Sequence, residues 1–254
     1  MSQYSLPEPL GFPNCRRCAY LINGTPRICG TCAGQTLQPI PDDHCLICSQ
    51  ALTPGRPCVN TLCGWRQGDG RRTRSITRID AVAQFSGTFA AYLRIFKETP
   101  GHEYLAAIFG RLLVGWMETH PHLIDDVDLI IGNPTHPDRK PLQHIEAIMA
   151  AAHAEDTANR WPLAPPDNPV LVKAAATEAS KDRGFAGKEQ AAWDHVSAIR
   201  MNSAYRDTIQ GRCVLLVDDV CTTGLQLNYL AGALLRSGVR EVRGLVLARV
   251  PWRY

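Results

Sequence analysis

The chain has 254 residues and no run of 18 or more apolar residues, so no segment reads as a membrane-spanning helix. Residues 1–13 lack a charged n-region and an apolar h-region, so no secretory signal is read there and a cytoplasmic, reducing setting is expected. Lysine is missing from the first 80 residues. The Gly-x4-Gly-Lys phosphate loop is missing too, which excludes a P-loop nucleotide site. Internal repeats and low-complexity segments are absent. Aromatic residues are sparse at 7%, but the 45% hydrophobic share excludes wholesale disorder. A net charge of +3 names no partner class by itself.

What is present is unevenly distributed. Residues 1–80 carry nine Arg against five acids, and the rest is close to neutral. Of ten cysteines, eight lie in the same head: Cys15, Cys18, Cys29, Cys32, Cys45, Cys48, Cys58 and Cys63. They come in tight pairs, mostly C-x2-C, whose sulfurs converge on one ion, and structural zinc takes four thiolates in a tetrahedron. The head therefore reads as a double four-cysteine zinc-binding module over residues 1–70. Short loops favour the sequential sets Cys15/Cys18/Cys29/Cys32 and Cys45/Cys48/Cys58/Cys63. An interleaved set would join Cys15/Cys18 with Cys45/Cys48 and Cys29/Cys32 with Cys58/Cys63. The head has few large apolar residues, so metal must supply its folding energy, on the order of 10 kcal/mol per site. Residues 71–80 read as a basic linker. With Trp65 and Arg66 before it, Arg71, Arg72, Arg74 and Arg78 suit phosphate contact and base stacking, or simply solvation.

The remainder, 81–254, changes texture. Strands are expected at 78–85, 127–132, 170–173, 212–217 and 242–247, and helices at 87–97, 103–119, 142–158 and 225–237. Gly238 is placed to end the last helix in a left-handed conformation. Residues 174–200 read as a loop running into a helix. Strands alternating with helices predict an α/β fold with a doubly wound, mainly parallel sheet.

The most informative stretch is 213–227, CVLLVDDVCTTGLQL. An apolar strand runs into Asp218 and Asp219; a Thr-Thr-Gly loop and a helix follow. Ligands of open α/β sheets bind at the carboxyl ends of strands, and a helix N-terminus favours an anion. Thr222 and Thr223 add hydroxyls, and Gly224 permits close backbone approach. The loop is thus a phosphate site, and the acid pair calls for a polyol or a metal. A ribose 5-phosphate meets both demands. If the ribose also carries pyrophosphate, Mg²⁺ is expected.

VLLVDDVCTTG resembles the 5-phosphoribosyl 1-pyrophosphate (PRPP) motif of type I phosphoribosyltransferases. With the cysteine head, the chain resembles the ComF family of competence-associated phosphoribosyltransferase-like proteins, which join a four-cysteine zinc module to this domain. YLRIFK, ending at Lys97, and the set Arg200, Asn202 and Tyr205 are similar to family features. The resemblance implies a type I phosphoribosyltransferase fold and ribose hydroxyls held by Asp218 and Asp219. The 5′-phosphate would sit on Val220, Cys221, Thr222, Thr223 and Gly224. Pyrophosphate would be held by Lys97, by Asn133, Pro134 and Thr135, and by Lys181 and Arg183 on a loop that closes over the site. It implies PRPP with Mg²⁺ as ligand and a link to DNA uptake, whereas the two zinc ions that the eight cysteines call for depart from the family's usual one. Single-stranded DNA or a DNA-processing protein would then be met through residues 1–80. The chain departs from the pattern at Gln226, at Thr222, where purine-salvage members carry a third acid, and in DRKPLQHIEA (138–147). Two functions follow: transfer of phosphoribose to an acceptor, or a non-catalytic DNA- or protein-binding accessory whose PRPP fold is a sensor or relic. Cys213 and Cys221 read as packing residues, Trp193 as a packing anchor and His136 as a further ligand contact.

Overall fold

The computed structural model describes residues 11–12, 30–70, 72–177 and 184–252. Four parallel strands form one sheet in the order β1 (Ile79–Gln84), β6 (Glu241–Arg249), β5 (Cys213–Cys221) and β2 (Leu129–Gly132). The described helices are α1 (Gly30–Thr36), α2 (Gly87–Glu98), α3 (Leu105–Thr119), α4 (His144–Glu155), α5 (Phe185–Ser197) and α6 (Leu225–Arg236). A second, antiparallel pair, β3 (Leu171–Lys173) and β4 (Ile199–Met201), frames α5. The chain is therefore α/β with a parallel four-stranded sheet. Among the described residues, no helix is long and apolar enough to cross a membrane.

A parallel sheet buried on both faces needs apolar side chains on both sides of each strand. In β5, Cys213, Leu215 and Val217 face the layer of α2, α3 and α4, whereas Val214 and Leu216 face α6. The sequence expects this strand to end at 217, before the acids. It runs on to Cys221, because β6 continues alongside it: Val220 pairs with Ala248 and Cys221 with Arg249. The ladder overrides the low strand preference of aspartate.

Helix α3 is the centre of one layer, with residues 105, 108, 109, 112, 113, 116 and 117 all buried. Its neighbour α4 comes close because residue 110 has no side chain. A Cβ on Gly110 would lie 2.5 Å from the backbone nitrogen of Ala152.

Residues 47–76 lie along this body. Leu62 is fully buried with Ile76, Ile79 and Leu230. Ser49 Oγ donates to the Ile79 carbonyl at 2.8 Å, and Ile79 N donates to the Ile47 carbonyl at 2.7 Å. The fully buried Asn228 of α6 accepts from Ser75 N (2.8 Å) and donates to the Thr73 carbonyl (2.8 Å). Residues 73–76, within the stretch expected as a linker, are thereby tied to α6.

Gly110→Ala should push α3 from α4 and destabilise the protein by about 1–3 kcal/mol, the usual cost of overpacking. Chemical denaturation checks this, and an unchanged midpoint would contradict the close approach.

Candidate functional site

The site forms where β5 and β2 end and α6 begins. Gly224 precedes α6 with φ at 78°, a left-handed conformation. A Cβ there would strike Ile79 Cδ1 at 2.7 Å, so glycine is required both conformationally and sterically. Thr222 is exposed and Thr223 buried. Thr223 Oγ1 lies 3.4 Å from Leu225 N, a long contact at the helix start. The first amides of a helix have no partner within it and carry its positive dipole end, so the loop offers anion-binding groups. Val220 and Cys221 lie within β5, not in the loop. Burial raises the Cys221 thiol to about 11, which suits packing and not reactivity.

Asp218 and Asp219 point apart, as neighbours on a strand must. Both are buried. Asp218 Oδ2 accepts from Asn133 Nδ2 at 3.0 Å. Asp219 Oδ2 meets Lys97 Nζ at 2.7 Å and His144 Nε2 at 3.0 Å. Burial, with the Asp219 charge second, pushes the Asp218 carboxyl up. Burial acts on Asp219 in the same direction, but Lys97 and then His144 outweigh it and hold that carboxyl well below its usual range. Negative charge therefore resides on Asp219, while Asp218 is the easier of the two to protonate.

From Asn133 the network continues inward. His195 Nε2 donates to Asn133 Oδ1 at 2.7 Å, and Lys173 Nζ donates to His195 Nδ1 at 3.0 Å and to Thr177 Oγ1 at 2.6 Å. These roles make His195 a neutral ring protonated on Nε2. Burial, then the Lys173 charge, lowers it to about 4. Lys173 is itself lowered, by burial and then by Arg139. Of the expected pyrophosphate residues, Lys97 reaches the acid pair, while Asn133 is committed to Asp218 and His195. Pro134 is buried, and Thr135 donates through N (2.8 Å) and Oγ1 to Glu146. Lys181 and Arg183 lie outside the described residues. His136 accepts from Asp138 N at 3.2 Å.

A second cluster lies nearby. The sulfurs of Cys45, Cys48, Cys58 and Cys63 are all within 4.8 Å of one another, with Cys45–Cys63 and Cys48–Cys58 both at 3.7 Å. Sulfurs at about 2.3 Å from a tetrahedral zinc are about 3.8 Å apart, so the set fits that metal and can hold one ion. The arrangement is the sequential one for this quartet. Cys32 is buried elsewhere, in the α2–α3–α4 layer, and Cys15, Cys18 and Cys29 lie outside the described residues.

Sequence reasoning passed over His144, Lys173, His195, Asn60 and Arg249. None belongs to a motif with chemical spacing, and the partners that join them to the site are distant in sequence. The Arg-rich segment is largely committed: Arg72 grips Glu189 at 3.0 and 2.9 Å, Arg74 donates to the Cys63 carbonyl at 3.1 Å, and Arg78 pairs with Asp80 at 2.5 Å. Trp193 stacks on Tyr229 with ring centroids 4.7 Å apart. Compared with known proteins, the chain matches no family model and no curated relative.

Two measurements check the site. Cys63→Ser should remove one equivalent of bound zinc from the purified protein; metal analysis showing equal zinc in both would contradict the cluster. His195 provides a pH test. Its folded-state value of about 4 lies below the unfolded value, so above about pH 6.5 it costs nothing. As pH falls towards 4, the unfolded chain takes up the proton first and the folded state loses stability. At about pH 5 the loss is about 2 kcal/mol. His195→Gln, which can still donate and accept, should lose correspondingly less stability between about pH 7.5 and about pH 5. Equal losses would contradict the buried neutral ring.

Proposed function

We propose that the chain is a ComF-like protein with a type I phosphoribosyltransferase fold that binds PRPP. The observation behind this reading is the conjunction at the carboxyl end of the sheet: an acid pair near the end of β5, a Thr-Thr-Gly loop entering α6, and Lys97 beside the acids. The α6 amides and the Thr222 and Thr223 hydroxyls take the 5′-phosphate. Asp218 accepts from ribose hydroxyls. Asp219 accepts there too if Lys97 turns from it towards pyrophosphate. Lys181 and Arg183, which lie outside the described residues, are assigned to the leaving group by the resemblance alone. PRPP enters as its Mg²⁺ complex, so the magnesium belongs to the substrate.

Transfer would proceed by attack of an acceptor on ribose C1 as pyrophosphate departs. The C1–O bond to pyrophosphate breaks with its electron pair leaving on oxygen, and positive charge builds on the ring. Fixed carboxylates stabilise that charge, and positioning supplies much of the rate. Two zinc ions, one per cysteine quartet, accompany this reading, in a cytoplasmic protein whose sulfurs stay reduced. A non-catalytic accessory that meets single-stranded DNA through residues 1–80 has less behind it, because Arg72, Arg74 and Arg78 are engaged internally.

Calorimetric titration tests the reading. Zinc-loaded protein should bind PRPP in a magnesium-dependent way. Asp218→Asn/Asp219→Asn should weaken that binding about a hundredfold, because two charge-assisted hydrogen bonds to the ribose are removed. A folded, zinc-loaded wild type that fails to bind PRPP overturns it.

A further inference from the structure

The cysteine cluster and the Thr-Thr-Gly loop are joined by three side chains. Arg249, the last residue of β6, is 1% exposed. Its Nη1 donates to the Cys221 carbonyl at 2.9 Å and to the Thr222 carbonyl, while Nη2 lies 3.8 Å from Cys48 Sγ. Asn60, between Cys58 and Cys63 and equally buried, donates Nδ2 to the Thr223 carbonyl at 3.1 Å. Its Oδ1 accepts from Leu62 N at 3.3 Å. Leu62 in turn packs below Gly224, 3.1 Å from where a Cβ would stand. Three consecutive carbonyls, 221, 222 and 223, thus face side chains that touch or belong to the cluster segment, the first of them held also by Val250 N at 2.9 Å.

This has a geometric consequence. In a planar trans peptide the N–H of the next residue points opposite to the carbonyl. Drawing the carbonyls of 221–223 towards the cluster turns the N–H groups of Thr222, Thr223 and Gly224 away from it. Successive amides aimed the same way make an anion-binding concavity. The charges agree with this arrangement. A buried guanidinium needs a nearby anion. The described contacts of Arg249 are carbonyls, a sulfur and the Trp252 ring at 5.6 Å, with no carboxylate among them. Four thiolates around Zn²⁺ form a doubly negative centre, which supplies that anion.

We infer that the metal-loaded Cys45/Cys48/Cys58/Cys63 cluster presets the Thr222–Gly224 loop for anion binding, with Arg249 and Asn60 as positioning residues. This rests on the phosphate reading of the loop, but the coupling has a readout that needs no ligand. Hydrogen–deuterium exchange of the full chain, zinc-loaded and chelated, reads it. Removing the metal should speed exchange at Val250 and Asn228, whose N–H groups are held by the Cys221 and Gly224 carbonyls at 2.9 Å, about tenfold or more, the scale of one broken hydrogen bond, while β2 and α3 stay protected. Arg249→Lys and Asn60→Ala, with zinc content unchanged, should loosen the same amides. They should also weaken ribose 5-phosphate binding about tenfold. Chelated protein with an unchanged loop and an intact sheet overturns the inference. If chelation or Arg249→Lys unfolds the chain, Asn60→Ala with zinc retained decides, and wild-type exchange in that variant overturns it. If exchange responds to metal but neither PRPP nor ribose 5-phosphate binds, the coupling stands and the phosphate reading falls.

Discussion

Two adjacent carboxylates are buried at the end of β5, and much of the surrounding architecture answers that fact. An unpaired buried charge costs several kcal/mol even after relaxation. Asp219 is therefore met by Lys97 from the end of α2 and by His144 from the start of α4. Asp218 is met by Asn133 at the exit of β2. Asn133 is oriented by His195 of α5, which is in turn fixed by Lys173 of β3. Five elements thus converge on one strand end, each contributing one polar group. A site of this kind is stiff, because displacing one member leaves another unsatisfied in a low-dielectric interior.

The cysteine-rich segment is joined to the same region. It has little apolar surface of its own, and Leu62 is its one fully buried large apolar side chain among the described residues. Its four close sulfurs replace a core, and its surroundings join those of the sheet. Glu189 of α5 is buried and receives both Arg72 from this segment and the Tyr229 hydroxyl from α6. The thiolate cluster, the loop before α6 and the second layer of helices therefore share polar contacts, not just a boundary.

Strand and helix order was readable from periodicity. Expected and observed elements agree to within a few residues for β1, α2, α3, α4 and α6, and Gly238 has the left-handed φ of 93° that a helix stop predicts. The sequence reading stopped β5 four residues early, since aspartates look like a strand's end until β6 is seen running beside them. It also passed over α1, whose GTCAGQT has no apolar stripe, and β4, three residues long. The Arg-rich stretch looked free because its partners, Glu189 and the Cys63 carbonyl, carry no mark in the local sequence.

The amino-acid sequence alone determined what depends on near neighbours. It set the alternation that makes a doubly covered parallel sheet, the cysteine spacing that lets two pairs meet one metal, and the acid pair followed by a loop and a helix start. These follow from bond lengths and from the periods of strands and helices, which operate over a few residues. Only the tertiary structure decided which cation neutralises which acid and which buried arginine reaches from the sulfurs to the loop. Those pairings join positions as distant as 48 and 249, brought together by the burial of the whole sheet, and electrostatics in a dry interior is settled by distance in space alone.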